Sequence, residues 1–473
     1  MNDLAFMSAL EQARLIRAKD ISVVELVTMY LERIARYDPL LNSYVTVAAD
    51  LALNQAREAQ HAIMQGRETP PFHGVPISIK DLSETAGIRT TMSSRAFANY
   101  VPKSDSPAVR QIRKAGFIIL GKTNTSEFGM LPVTESELNG VCRNPWNTKL
   151  TPGGSSGGAA AALAAGLCAI SHGRDGAGSI RIPASCCGLW GLKPGRGRVS
   201  QGLQFSFPEP AIDGPIARTV ADAAAMLDSI SQYGTDDLRP ATPERLFFAE
   251  VGREPGRLRV AYTACPPVHC FVDPECGRAL EYVVRLLAEL GHHVEEKTPD
   301  WVDTQLVSAV AIVRQTIPIA FGATDRSLLG PHAAAFSNMA DQTSSAQFTE
   351  SLLKIRSFAR RVLSFWTDYD ILVTPTLALQ PVETGWLDKH EEPTAQFQDA
   401  VHFAPFPAVA NFTGQPAMSV PLYRTFDGIP IGIHLIGKPA AEAQLIRLSA
   451  QLERASPQSL WPPPLVNTND FRH

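Results

Sequence analysis

Between Thr151 and Gly191 the chain reads TPGGSSGGAAAALAAGLCAISHGRDGAGSIRIPASCCGLWG, with Ser155 and Ser179 each embedded in glycine. Glycines beside a serine let the backbone turn sharply and let a substrate approach main-chain amides closely. Gly176, Ala177, Gly178 and Ser179 offer four consecutive small-residue N–H groups. Such a run can form a concave nest that stabilises the oxyanion of a tetrahedral intermediate. It also suits a structural crossover or an anion site at a helix N-terminus, and spacing alone does not separate these readings. A serine nucleophile needs a base, and a lysine serves if it is held neutral. Lys80 ends the apolar run Val75-Pro76-Ile77-Ser78-Ile79, where burial lowers a lysine pKa of about 10.4 by up to about 3–5 units. The competing reading is an ion pair with Asp81. In an extended segment, adjacent side chains point to opposite faces, so Asp81 is expected to face away from the amine.

Three other motifs compete. Gly116 to Thr123 satisfies G-x-x-x-x-G-K-T, but a phosphate cradle needs an open loop, and Phe117-Ile118-Ile119-Leu120 reads as a buried strand. Gly153-Gly154-Ser155-Ser156-Gly157 contains G-x-S-x-G, yet the hydrolase elbow needs a strand before its serine, and Pro152 cannot donate to a sheet ladder. A serine hydrolase using His172, His402 or His434 as base stays open as an alternative. Cys265, Cys270, Cys276 and His269 do not follow an established zinc spacing, and the adjacent Cys186 and Cys187 suit buried thiols better than one metal. No metal or organic cofactor is expected.

The elements that must position these residues alternate. Ser22 and Glu25 form a capping-box pattern ahead of Val23, Leu26, Val27, Tyr30, Leu31 and Ile34 at helical spacing, a helix that Pro39 is expected to close. A second helix is expected over 48–65, stopping at Gly66. Helices over 106–115, 274–290 and 441–455 are interleaved with strands over 117–120, 258–262, 292–297, 369–376, 417–422 and 429–436. This alternation predicts an α/β layered fold with a mixed or parallel sheet. No repeat or linker interrupts it, so residues 1–473 are expected to form one domain.

Composition bounds the setting. Hydrophobic residues make up 45% and charged residues 19% of 473, which excludes a disordered chain. The net charge of −4 offers no strong field to nucleic acid or an anionic membrane. The most apolar uncharged stretch, Gly157 to Ile170, is too short to span a bilayer. The N-terminus mixes acidic with apolar residues, unlike a signal peptide. Seven cysteines in so long a chain suit free thiols in a reducing cytoplasm.

Taken together, GGSSGG, DGAGSIRIPAS and CGLWGLKP closely resemble the signature of the amidase signature family. The resemblance extends to HGVPISIKD and GKTNTSEFG upstream, and to GQPAMSVP, GIPIGIHLIG and Trp461-Pro462-Pro463-Pro464 downstream. It implies an α/β fold with a mixed central sheet flanked by helices on both faces, with Lys80 as the catalytic lysine, Ser155 as a bridging serine after a cis peptide bond, and Ser179 as the acylated nucleophile. Many members read G-T-D-T-G-G-S before the nucleophile, whereas this chain has Ala177 in Gly173-Arg174-Asp175-Gly176-Ala177-Gly178-Ser179. Ala177 keeps its N–H, provided its backbone is not one that only glycine tolerates. This form resembles the branch that opens cyclic amides of nylon-oligomer type and cleaves carbamates, and less the glutaminase subunit of an amidotransferase. The expectation is hydrolysis of a small neutral amide, aryl amide or carbamate (urethane), with ester cleavage as a side activity and a homodimer compatible with the chain. The acyl pocket is expected near Phe128 to Leu131 and within a variable region from Trp301 to Pro405. Phe365, Trp366, Trp386, Phe397, Phe403 and Phe406 are candidates to line it there, and no charged cluster is expected in that region.

Overall fold

The computed structural model describes residues 2–202, 211–231, 245–456 and 462–466; Trp461 lies outside them. Near the N-terminus, the Ser22 hydroxyl accepts the Glu25 amide and starts a helix, Val23–Leu41, whose apolar residues repeat at helical spacing. Pro39 does not close it. The helix passes through Pro39 and ends at Asn42, which takes the left-handed conformation. A proline in the last turn deprives only one carbonyl of its donor, and burial of Leu41 holds that turn in place. The helix over 49–64 then leads into the sheet.

The strands are β1 (Tyr44–Val47), β2 (Pro76–Lys80), β3 (Ile118–Thr123), β4 (Glu135–Ser136), β5 (Gly140–Val141), β6 (Ile170–Asp175) and β7 (Trp190–Lys193). They continue as β8 (Ile212–Ala217), β9 (Arg259–Tyr262), β10 (His293–Glu296), β11 (Ile371–Pro375), β12 (Ala417–Arg424) and β13 (Pro430–Gly437). Apart from the small β4–β5 hairpin, they build one sheet in the order β1-β3-β2-β6-β8-β7-β12-β13-β11-β9-β10. The sheet is mixed: β3, β2 and β6 run parallel, β8, β7, β12 and β13 alternate, and β11, β9 and β10 are parallel again. The α/β class with a mixed sheet is therefore the observed one.

This order sets the site. β2 pairs with β6 in parallel, Ile79 opposite His172, so both strands deliver their C-terminal residues, Lys80 and Asp175, to one edge. Strands β6 and β7 are both antiparallel to β8, so β7 brings Lys193 to that same edge. In open α/β sheets this is where ligands bind. Directly behind it runs the helix Gly157–Ala164, all of whose residues are buried, which explains why all but Leu163 are glycine or alanine: a helix enclosed on every face has little room for larger side chains. Among the described residues no helix is long and apolar enough to cross a membrane.

Candidate active site

Lys80 ends β2 and is fully buried. Its Nζ lies 2.7 Å from Ser155 Oγ and donates to the Arg174 carbonyl at 3.2 Å. Burial pushes the amine down to about 7, opposed by the charge of Asp175, reinforced by Arg174 and opposed again by Asp213. Carboxylates do therefore act on the amine, but desolvation outweighs them. Asp81 is not among them. It accepts the Thr91 amide at 2.9 Å and sits 3.8 Å from Lys122 Nζ, on the side away from Lys80.

The Gly154–Ser155 peptide is cis. A Cβ on Gly154 would lie 2.5 Å from the Val133 carbonyl oxygen, so no larger residue fits there. Thr134 Oγ1 donates to the Gly153 carbonyl at 2.8 Å and accepts the Gly157 amide at 3.1 Å, clamping the turn on both sides of Ser155.

Ser179 stands in the loop between β6 and the helix Arg181–Cys187. Its hydroxyl has no hydrogen-bond partner among the described residues and borders the cavity. Asp175, at the end of β6, shapes this loop. Its carboxylate accepts the amides of Gly178 at 2.8 Å and Ile180 at 3.1 Å, and receives Arg181 Nη2 at 2.8 Å and Asn411 Nδ2 at 2.9 Å. Burial works against its charge, yet Arg181, Lys193 and Asn411 hold the carboxyl far below the usual carboxylate range. The Gly178 amide is thus already engaged, which removes it from the expected oxyanion set. The amides of Gly176, Ala177 and Ser179 have no acceptor among the described residues, and all three residues line the cavity. Ala177 is absent from the residues with positive φ, so alanine fits there without strain. Gly178 has φ +120°, and a Cβ on it would meet Pro407 at 2.6 Å.

The three histidines go elsewhere. His172 Nε2 binds Asp213 Oδ1 at 2.9 Å, His434 Nε2 accepts from Arg181 Nη1 at 2.8 Å, and His402 is exposed. Burial and Arg181 hold His434 well below its ordinary pKa. None of the three lines the cavity. The G-x-x-x-x-G-K-T run is not a phosphate loop, since Gly121, Lys122 and Thr123 belong to β3. All seven cysteines are free, and among the described residues no three His, Cys, Asp or Glu side chains are grouped to hold a metal.

The cavity measures ≈ 930 Å³. Phe128, Gly129, Met130 and Leu131 line it, together with parts of the 301–405 region within 306–321, 352–356 and 397–405. Of the six aromatic candidates, only Phe397 does. Phe365, Trp366 and Phe406 pack in a core with Trp301, and Trp386 and Phe403 against the main core. The helix Leu306–Arg314 and Phe321 line the cavity instead. The helix's apolar face was hidden because residues 306–313 are nearly all apolar and show no clear period. Arg314 and Arg356, of this same region, also line the cavity. Asp175 was missed as a site residue. Its signal was a lone acid between Arg174 and glycines, a position that favours side-chain-to-backbone bonds.

A mixed α/β sheet thus places a glycine-rich serine loop and a desolvated lysine at one cavity. The family model Amidase matches residues 25–446. The chain is 35% identical over 489 residues to the 6-aminohexanoate-cyclic-dimer hydrolase of Paenarthrobacter ureafaciens, covering 98% of this chain and 97% of that protein. It is 33% identical to a glutamyl-tRNA(Gln) amidotransferase subunit of Carboxydothermus hydrogenoformans, covering 96% and 98%. Its fold superposes on a 6-aminohexanoate cyclic dimer hydrolase complexed with substrate with a TM-score of 0.91 at 32% identity, covering 98% of this chain and 100% of the other. The chain belongs to the amidase signature family and is a hydrolase of amide bonds.

Proposed function

We propose that this protein cleaves a small amide through an acyl-enzyme on Ser179, with Ser155 and Lys80 as proton relay. The observation that carries this reading is the 2.7 Å contact between a desolvated Lys80 amine and Ser155 Oγ at a cavity that Ser179 also lines. Neutral Lys80 takes the proton of Ser155 as Ser155 takes that of Ser179, whose Oγ attacks the carbonyl. The two serines share no hydrogen bond in the structure. Such bonds tighten in the substrate complex, and the unpartnered Ser179 hydroxyl is free to turn. The amides of Gly176, Ala177 and Ser179 receive the oxyanion, and the relay reverses to protonate the leaving amine. Water then repeats the cycle on the acyl-enzyme.

The apolar wall from Phe128 to Leu131, with Phe321 and Phe397, favours an amide, aryl amide or carbamate with an apolar body. Free thiols throughout agree with a reducing cytoplasm as the working compartment. The test is labelling with a fluorophosphonate. Wild type acquires one covalent adduct, on Ser179, and Ser179→Ala acquires none and turns over nothing. An adduct that persists in Ser179→Ala, or turnover at the wild-type rate, overturns the assignment. Hydrolysis of simple anilides by the purified chain alone separates an independent amidase from an ammonia-delivering component of a larger complex.

A further inference from the structure

We propose that the substrate carries a carboxylate within a few bonds of the scissile amide, held between Lys193 and Arg196. The inference deepens the amidase reading and rests on it for the reaction, though not for the binding. The basic residues lining the cavity are Lys80, Arg174, Lys193, Arg196, Arg314 and Arg356, and the described lining residues include no aspartate or glutamate. A chain with a net charge of −4 has thus gathered cations at one cavity.

Two of these cations have donors left over. Lys193 is 1% exposed, yet its Nζ donates only to the Pro194 carbonyl, at 2.7 Å, among the described residues. An ammonium has three N–H bonds, so two remain for a ligand. Arg196 uses Nη2 on the carbonyls of Asn411 and Phe412, at 2.7 and 3.1 Å, and its Nε and Nη1 have no acceptor among the described residues. Of the carboxylates that act on Lys193, Asp175 is taken by Arg181 at 2.8 Å and Asn411 at 2.9 Å, and Glu442 by Arg198 at 2.9 Å and the Gly195 amide at 3.1 Å. Moreover, the cations repel one another. Burial pushes Lys193 down to about 7, with Arg181 and Arg196 adding to the effect and Asp175 and Glu442 opposing it, and burial and Arg356 likewise lower Arg196. An arrangement this unfavourable is relieved by an anion, and a carboxylate matches both the planar fork of an arginine and the point charge of a lysine. Lys193 and Arg196 line the same cavity as Ser155 and Ser179, so one ligand can place its anion at the cations and its amide at the serines.

The experiment uses the full-length Ser179→Ala protein, which binds without turnover, titrated calorimetrically with hexanoate and with hexanamide. Hexanoate is expected to bind about tenfold tighter or more, since hydrogen bonds to charged groups exceed neutral ones by that order. Arg196→Gln, its fold checked by circular dichroism, is expected to remove most of the advantage, and Lys193→Met all of it. In the wild type, either the mono-4-nitroanilide of adipic acid or N-hexanoyl-4-aminobenzoate, depending on which side of the amide the anion lies, is expected to exceed N-hexanoylaniline about tenfold in kcat/KM. Hexanoate binding no tighter than hexanamide, or an advantage that Arg196→Gln leaves unchanged, overturns the proposal. Failure of the serine reading shows separately, as a fluorophosphonate adduct outside Ser179 with carboxylate binding intact.

Discussion

Lys80 and Lys122 stand near the ends of neighbouring parallel strands, β2 and β3, and both are fully buried. Burial pushes both amines down, to about 7 and about 8. Their surroundings differ. Lys122 faces Asp81 at 3.8 Å and donates to the Ser83 carbonyl and, at 2.8 Å, to Thr90 Oγ1; it does not line the cavity. Lys80 faces one carbonyl and one hydroxyl at the cavity wall. A desolvated lysine enclosed by acceptors is a structural cation, whereas one with a hydroxyl in reach and room beyond is poised to take a proton. Side-chain alternation separates the two, because Lys122 sits opposite Ile79, the residue just before Lys80.

Substitution by arginine breaks the comparison most directly. Arginine keeps the charge but cannot deprotonate. Lys80→Arg is expected to lose about 10²–10⁴-fold in kcat/KM, the usual worth of a positioned general base. In the wild type, kcat/KM from pH 5 to 10 should climb through about 7 as Lys80 deprotonates and then level off, since the neutral amine is the active form. That limb should vanish in Lys80→Ala. A Lys80→Arg enzyme with near-native rate and an unchanged profile would make Lys80 a structural cation too.

At Lys122 the ranking reverses. Lys122→Met strands Asp81 in the interior and is expected to cost about 3–5 kcal/mol, read from denaturant midpoints. Lys122→Arg should recover much of that and keep the pH limb near 7. Equal damage from both would mean that the site tolerates only lysine geometry.

A milder contrast lies between two phenylalanines of the 301–405 region. Phe397 lines the cavity, and Phe403 is buried in the main core. Phe397→Ala is expected to raise KM about tenfold for an anilide, the worth of lost apolar contact. Phe403→Ala should leave KM near wild type and lower stability by about 3–5 kcal/mol. The smallest effect belongs to Ala177→Gly. With Ala177 outside the positive-φ residues, the exchange leaves the amide in place, and kcat is expected to stay within about threefold, since only the loop's entropy changes. A gain of about 10² or more would mean that the alanine methyl holds the loop away from its productive shape.

Much of this was readable beforehand, for local reasons. Caps such as Ser22, the helix over 274–289 and the strands over 259–262 and 371–375 follow from short-range pattern, which needs no partner to express itself. Strands β6, β7 and β8 were not read. Ile170–Asp175 carries serine, histidine and arginine, residues that its neighbours β2 and β8 bury, and nothing local in ISHGRD announces a strand. The aromatic candidates missed for a related reason: aromatic side chains fill core and cavity wall equally well, and only packing sorts Phe397 from Phe403 and Phe406.

Sequence by itself determined the parts that depend on chain neighbours. The glycines that permit the turns at Gly154 and Gly178, the apolar run that buries Lys80, and the alternation that turns Asp81 away are all properties of adjacent residues. Tertiary structure decided what lies beside them. It set Asp175 under the serine loop with Arg181 and Asn411, gave His172 to Asp213 and His434 to Arg181, and brought Lys193 to the same sheet edge as Lys80. These contacts join residues tens to hundreds of positions apart. Their cost in chain entropy is met only by the cooperative closing of the whole sheet, which no local stretch can encode alone.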